Sequence, residues 1–270
     1  LGGKGGNSAV ALARMGAEAL LVGCVGGDAF GQRILETLRS EGVVLAGVSV
    51  EQDISSGTAL IMVDDGGENT ILLVEGANRC LTARRVCDAL HGWWSRLGAI
   101  IVNLEVSEEC VRTVVNLGRG HDVPVIVDAG PPRPYAPDIW RDAAVFSPNE
   151  YEAEMLLGYP LRDDKSAEQA ADELLAMGPR SVVLKLGARG ALVRTAEDTF
   201  HVPAFPVPVV DTTGAGDAFT AGLAFGAARG DSLYEAVRYG CAAGAIAVTR
   251  MGAMAAMPYR QEIEALLRCN

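Results

Sequence analysis

The sequence predicts an α/β protein: a three-layer α/β/α sandwich with a mostly parallel central sheet and a small antiparallel β lid. Three observations predict it. Short apolar runs of strand length alternate with longer runs of helical period along most of the 270 residues, and repeated βα units imply a parallel sheet with helices on both faces. Hydrophobic residues are 49% of the chain, enough for a sizeable core and incompatible with wholesale disorder. The alternation breaks once, where two strand-like runs flank Asp64-Asp65-Gly66-Gly67; this reads as a hairpin outside the main sheet. We expect one domain over residues 1–270, with the lid hairpin at about 56–75.

Element by element, residues 7–15 read as a short helix that Asn7 or Ser8 can cap and Gly16 can end. Residues 19–26 are a short, apolar, glycine-bounded strand. Residues 28–41 form a helix with Phe30, Ile34, Leu35 and Leu38 on one face and Gly42 beyond its end. A strand follows at 43–50, then the lid strands 57–63 and 69–74. Alternation resumes with helix 82–91, strand 99–105, helix 107–118 and strands 123–129 and 143–149. Helices 150–157 and 166–177 precede strand 180–187 and two short strands, 190–194 and 199–202. Three helices close the chain at 214–229, 232–249 and 259–268. The chain opens on Leu1-Gly2-Gly3-Lys4, without an initiator Met or a leading strand, and we expect an earlier strand to be missing.

Charge narrows the function. A net charge of −11 and a pI near 4.8 argue against a basic face for nucleic acid. An anionic ligand must therefore meet local cations or backbone N–H groups. Lysine is used three times only, at Lys4, Lys165 and Lys185. The six cysteines form no C-x-x-C pair, and with three histidines no zinc spacing arises; they read as reduced thiols of a cytoplasmic protein. No apolar run reaches the ~18 residues of a membrane span.

Four motifs could carry chemistry. In Asp211-Thr-Thr-Gly-Ala-Gly-Asp217-Ala-Phe-Thr-Ala-Gly222, Gly214-Ala215-Gly216 lies where a loop enters a helix. Small residues there leave N–H groups uncovered at the positive end of the helix dipole, which suits phosphate. Asp217, in the first turn, could take a proton from an attacking hydroxyl while the N–H groups stabilise a transferred phosphoryl group; alternatively it merely caps the helix. Gly2-Gly3-Lys4-Gly5-Gly6-Asn7 lets backbone approach a ligand closely, with Lys4 and Asn7 as polar arms, and it is not a Walker A loop. In Ser147-Pro148-Asn149-Glu150-Tyr151-Glu152, a strand end runs into a helix; Asn149 and Glu152 could order the water shell of magnesium or simply form an N-cap. Leu184-Lys185-Leu186-Gly187-Ala188-Arg189-Gly190 is a glycine turn between strands that could lie along a nucleotide or be an ordinary hairpin.

The Asp211–Gly222 string resembles the C-terminal signature of the PfkB carbohydrate kinases, and GGKGGNSAVALARMG (2–16) resembles their N-terminal signature. Residues 56–78, NLE (103–105), SPNE (147–150), LGARG (186–190) and AVTRMGA (247–253) resemble, in order, segments of the ribokinase group of that family. The resemblance implies a ribokinase-like sandwich and ATP-dependent phosphorylation of a sugar primary hydroxyl, D-ribose to ribose 5-phosphate. Deoxyribose, fructose or a nucleoside are the alternative acceptors, and a non-catalytic sugar- or nucleotide-binding relative is the alternative class. It implies Asp217 as base and Gly214, Ala215 and Gly216 as anion hole. Gly3, Lys4, Gly5, Asn7, Glu105 and Asp217 would hold the sugar. Asn149, Lys185, Gly187, Ala188, Arg189, Gly190, Gly216 and Cys241 would hold ATP. Glu152 would reach Mg2+ through water, and Asp211, Thr213, Ala247, Arg250, Gly252 and Ala256 would surround an activating K+. A homodimer through the lid is implied as well. Three positions depart from the group's usual residues: Cys241 often Asn, Ala256 often Ser, Lys185 often Thr.

Overall fold

The computed structural model describes residues 1–63 and 69–269. In chain order the elements are α1 (Lys4–Arg14), β1 (Leu20–Gly26), α2 (Ala29–Ser40), β2 (Val44–Glu51), β3 (Thr58–Val63), β4 (Asn69–Val74), α3 (Ala83–Leu90), β5 (Ile100–Asn103) and α4 (Glu108–Gly120). They continue as β6 (Val125–Asp128), β7 (Val145–Ser147), α5 (Glu150–Leu157), α6 (Asp164–Ala176), β8 (Ser181–Lys185), β9 (Ala191–Thr195), β10 (Thr199–Val202), α7 (Ala215–Ala228), α8 (Leu233–Ala247) and α9 (Arg260–Cys269). Every helix and strand expected from the sequence is present, with ends displaced by a few residues. The expected lid turn, Asp64-Asp65-Gly66-Gly67, lies outside the described residues.

The main sheet runs β10-β9-β8-β7-β6-β5. β5, β6, β7 and β8 are parallel, and β9 and β10 turn back antiparallel. Successive residues of its strands serve two cores. Val125 and Val127 of β6 and Val182 and Leu184 of β8 join one cluster with α4 and α6; Ile126 and Val183 join another with α1, α7 and α8. A strand buried on both faces shows such alternation of destination without alternation of polarity. This is the predicted three-layer arrangement. α7 and α8 pack closely because a Cβ at Gly222 would stand 2.9 Å from the Gly240 Cα.

β1 and β2 form a separate parallel pair. Side chains from β1 and β5, with Leu12, Leu81 and Phe225, line a cavity of about 400 Å³ between the two sheets. β3 and β4 form the antiparallel lid, with Leu60 opposite Leu72 and Ala59 opposite Leu73. Leu60, Met62, Leu72, Leu73 and Val74 are each about half exposed. The lid's base is tied down by Asp28, which accepts from the Ser56 N–H (2.9 Å), the Ser56 hydroxyl (2.7 Å) and the Gly31 N–H (2.8 Å).

Two helix starts differ from expectation for a local reason. α1 begins at Lys4, and neither Asn7 nor Ser8 caps it; Gly3, at φ 107°, holds the N-cap position. Asn7 is a buried helical residue whose amide is committed to a residue 210 positions away. α6 begins at Asp164 because the Asp163 carboxylate accepts from the Ser166 N–H while the Ser166 side chain bonds back, a capping box.

Candidate active site

The N-terminus of α7 faces that of α1. Gly214 is the N-cap of α7, at φ 78°, a left-handed conformation that favours glycine; a Cβ there would also come within 2.9 Å of the Met257 Cε and displace that side chain's end. The first turn of a helix presents N–H groups that have no intrahelical acceptor, and Gly216 keeps this turn uncovered. Asp217 follows it and is buried. Its Oδ2 accepts from the Asn7 amide at 2.7 Å and its Oδ1 from the Lys4 ammonium at 3.5 Å; the Ser8 hydroxyl donates to its carbonyl oxygen at 3.4 Å. The glycine-rich start of α1 and the signature at α7 are thus joined side chain to side chain.

Beneath them lies an acid that sequence reasoning missed. Asp128 ends β6, buried, and Lys4 reaches its Oδ1 at 3.2 Å. Lys185, the last residue of β8, reaches its Oδ2 at 3.3 Å, and the Thr220 hydroxyl of α7 donates to the same oxygen at 2.8 Å. The Gly130 N–H donates to Oδ1 at 3.2 Å. A Cβ at Gly130 would fall 2.5 Å from Glu152 Oε1 and 2.7 Å from Lys4 Nζ, so a side chain there would push both charged groups from their places. The signal was legible in outline, since an aspartate closes an otherwise apolar strand at its C-terminal end, where open α/β sheets bind ligands.

These charges perturb one another. Burial works against the Asp128 carboxylate, yet Lys185, Lys4, the Thr220 hydroxyl and the Gly130 N–H outweigh it and hold the acid far below the usual range. Burial likewise opposes the Lys4 charge, and Asp128, Asp217 and Glu152 together overcome it and raise its pKa. Asp217 goes the other way: burial dominates, and Lys4 and the Asn7 hydrogen bond only partly offset it, so its pKa is raised. Burial also raises Glu105, against the attraction of Lys4.

Glu105 lies just past β5. With Gly3, Gly5, Ser56, Asn78 and Asn103 it lines a pocket of about 150 Å³ between the glycine loop and the base of the lid. Asn78 and Asn103 were not singled out from the sequence.

Asn149 and Glu152 form the capping box of α5: each accepts at 2.8 Å from the other's backbone N–H. The structural reading of that motif is therefore correct in this structure, and Glu152 is also buried with its Oε2 4.0 Å from Lys185 Nζ. Gly187–Arg189 is a single 3-10 turn of the β8–β9 hairpin, and its Arg189 guanidinium turns to Glu150 (2.5 Å) and Asp164 (2.6 Å). Cys241 is buried in the core shared by α7 and α8, where desolvation pushes its thiol up to about 12. Asp211 staples two loops: it accepts from the Thr213 N–H (2.9 Å) and hydroxyl (2.6 Å) and, across the fold, from the Gly252 N–H (2.8 Å). Ala247 ends α8 and Ala256 lies in a short 3-10 turn after those loops. The Arg250 side chain pairs with Glu262 and turns from that corner. Among the described residues, no group of three or more His, Cys, Asp or Glu could hold a metal by itself.

The chain belongs to the pfkB family of carbohydrate kinases, whose model matches residues 1–260. It is 36% identical over 266 residues to the ribokinase of Bacillus subtilis, covering 98% of this chain and 87% of that one. It is 32% identical over 270 residues to the deoxyribokinase of Salmonella typhi, covering 100% of this chain and 88% of the other. The solved structure of Arabidopsis thaliana ribokinase complexed with ribose and ATP superposes with a TM-score of 0.92 at 32% identity, over 99% of this chain and 87% of that one. The sandwich described above is the ribokinase-like fold.

Proposed function

We propose that this carbohydrate kinase transfers the terminal phosphoryl group of ATP to the primary hydroxyl of D-ribose, making ribose 5-phosphate. The observation that carries the reading is Asp217: a buried carboxylate of raised proton affinity, directly after the Gly214-Ala215-Gly216 turn, bonded to Lys4 and close enough to Glu105 for the two charges to act on each other. A base must lie within reach of the proton it takes and keep some affinity for it. Burial supplies the affinity here. The N–H groups at the start of α7 would meet the negative charge that develops on the transferred group.

In this reading Gly3, Lys4, Gly5, Asn7 and Glu105 hold the sugar hydroxyls, and the lid closes over them to exclude water. Asn149, Lys185, Gly216 and the 187–190 turn lie along ATP, with Cys241 packed behind the adenine. Magnesium keeps most of its waters and needs one or two carboxylates beside the phosphates; Glu152, buried next to Lys185, suits such an outer role. When bound, the ion would neutralise charge between the phosphates. The stapled loops of Asp211, Thr213 and Gly252, with Ala247, Arg250 and Ala256, would offer carbonyl oxygens to a potassium ion that steadies the anion hole. Residues 1–270 act as one domain, and the half-exposed apolar residues of the lid pair two copies. No helix among the described residues is long and apolar enough to cross a membrane, and we place the protein in the cytoplasm.

The likeness to a deoxyribokinase favours deoxyribose as the second candidate acceptor. A coupled ADP assay with ribose, deoxyribose and fructose at fixed ATP decides: the highest kcat/KM is expected for ribose. Sugar binding without ADP release by any of them would overturn the kinase assignment.

A further inference from the structure

Five charges form an alternating row across the floor of the cleft. Glu152 lies 4.0 Å from Lys185, Lys185 3.3 Å from Asp128, Asp128 3.2 Å from Lys4, and Lys4 3.5 Å from Asp217. Asp128 is the middle member. It splits its two oxygens between the two ammoniums, and Thr220 and the Gly130 N–H occupy further lone pairs. A buried charge is tolerated when paired, and here one acid pairs with two cations that arrive from different elements, α1 and β8. Without it, two ammoniums would face each other across the floor. Lys185 is also placed functionally: its Nζ lies 3.7 Å from where a Cβ at Gly216 would be, beside the open turn of α7.

We propose that Asp128 is a positioning residue for phosphoryl transfer: its centred carboxylate holds Lys4 against Asp217 and Lys185 against the N-terminal turn of α7, so that both ammoniums face the transferred group. This rests on the kinase reading above. Asp128 does not touch either substrate; it acts through the lysines.

The test is a double-mutant cycle on turnover. In Asp128→Asn one amide oxygen can accept from one ammonium while the NH2 group opposes the other. We expect kcat to fall about 100-fold, the scale of losing a preorganised electrostatic contact. In a Lys185→Met background the same substitution should cost only about tenfold, because the Lys185 contribution is already lost and that of Lys4 alone remains. A residue that merely supports the fold would give equal losses in both backgrounds. Equal losses, or an Asp128→Asn enzyme within about threefold of wild type, overturn the positioning role and leave the kinase reading standing. Wild-type protein that releases no ADP with any sugar overturns both. If Asp128→Asn does not fold, Thr220→Val, which removes one hydroxyl donor, takes its place: about a tenfold loss of kcat in protein that still unfolds cooperatively, at a somewhat lower Tm, is expected, and full turnover overturns the proposal.

Discussion

Asp211 and Asp217 lie six residues apart in one string, and the fold gives them opposite chemistry. Asp211 sits in a loop with three donors on its oxygens, the Thr213 N–H and hydroxyl and the Gly252 N–H. The Thr213 hydroxyl foremost, then the two N–H groups, lower its pKa. Asp217 enters a helix and is buried, and burial raises its pKa. Hydrogen bonds to the charged form make a carboxylate a staple, whereas desolvation makes it a base. Residue type and sequence proximity say nothing about which applies; the donor count and the solvent do.

The largest test of this contrast is Asp217→Asn. Losing the base should lower kcat by about 10³-fold, while calorimetry still detects sugar. Because a folded-state pKa above the unfolded value means the ionised form weakens the fold as pH rises through that interval, the amide should not lower Tm at neutral pH. A large drop in Tm would show that Asp217 is a structural charge, and the contrast would fail.

Asp211→Ala should do the reverse. Its loops would lose their staple, so Tm should fall, and the activity should drop by only about tenfold, since in this reading the group takes no proton. Its pKa is depressed in the folded state, so its contribution is present above the unfolded value near 3.9 and is lost as pH falls through the folded value. The gap in Tm between wild type and Asp211→Ala should therefore be full at neutral pH and close under acid. A gap that is constant with pH would show that the carboxylate charge does not matter there.

The smallest effect is a shift of a limb. Plotted against pH, kcat/KM for the sugar reports groups of the free enzyme. Its acid limb should lie above the ordinary aspartate value of about 3.9, because Asp217 holds its proton more tightly. A limb at or below that value would assign the base to another carboxylate.

Most of the site could be seen from local pattern. The glycine-rich turns at 2–7 and 214–216 announce close backbone approach, and the acid directly after the second announces its role. Asn149 and Glu152 were visible as a pair, but a capping box and a metal-shell pair share the same spacing. Lys185 stood out because lysine is scarce. Asp128 and Thr220 did not stand out: one ends a strand and the other lies in an apolar helix, and nothing within a few residues of either betrays the other, 92 positions away. Asn7 looked like a cap because caps favour its residue type; a partner far along the chain claimed its amide.

By itself the sequence determined the elements, their layered packing and the phosphate-suited turn before Asp217, because hydrophobic period, glycine and capping act over a few residues. Only the tertiary structure decided which charges meet. Lys4 and Asp128 are 124 positions apart and Lys185 and Asp128 are 57 apart, and each is tolerable in the interior only beside the others. Burial and pairing, properties of the folded interior, joined Lys4, Asp128 and Lys185 into one row on the floor of the cleft.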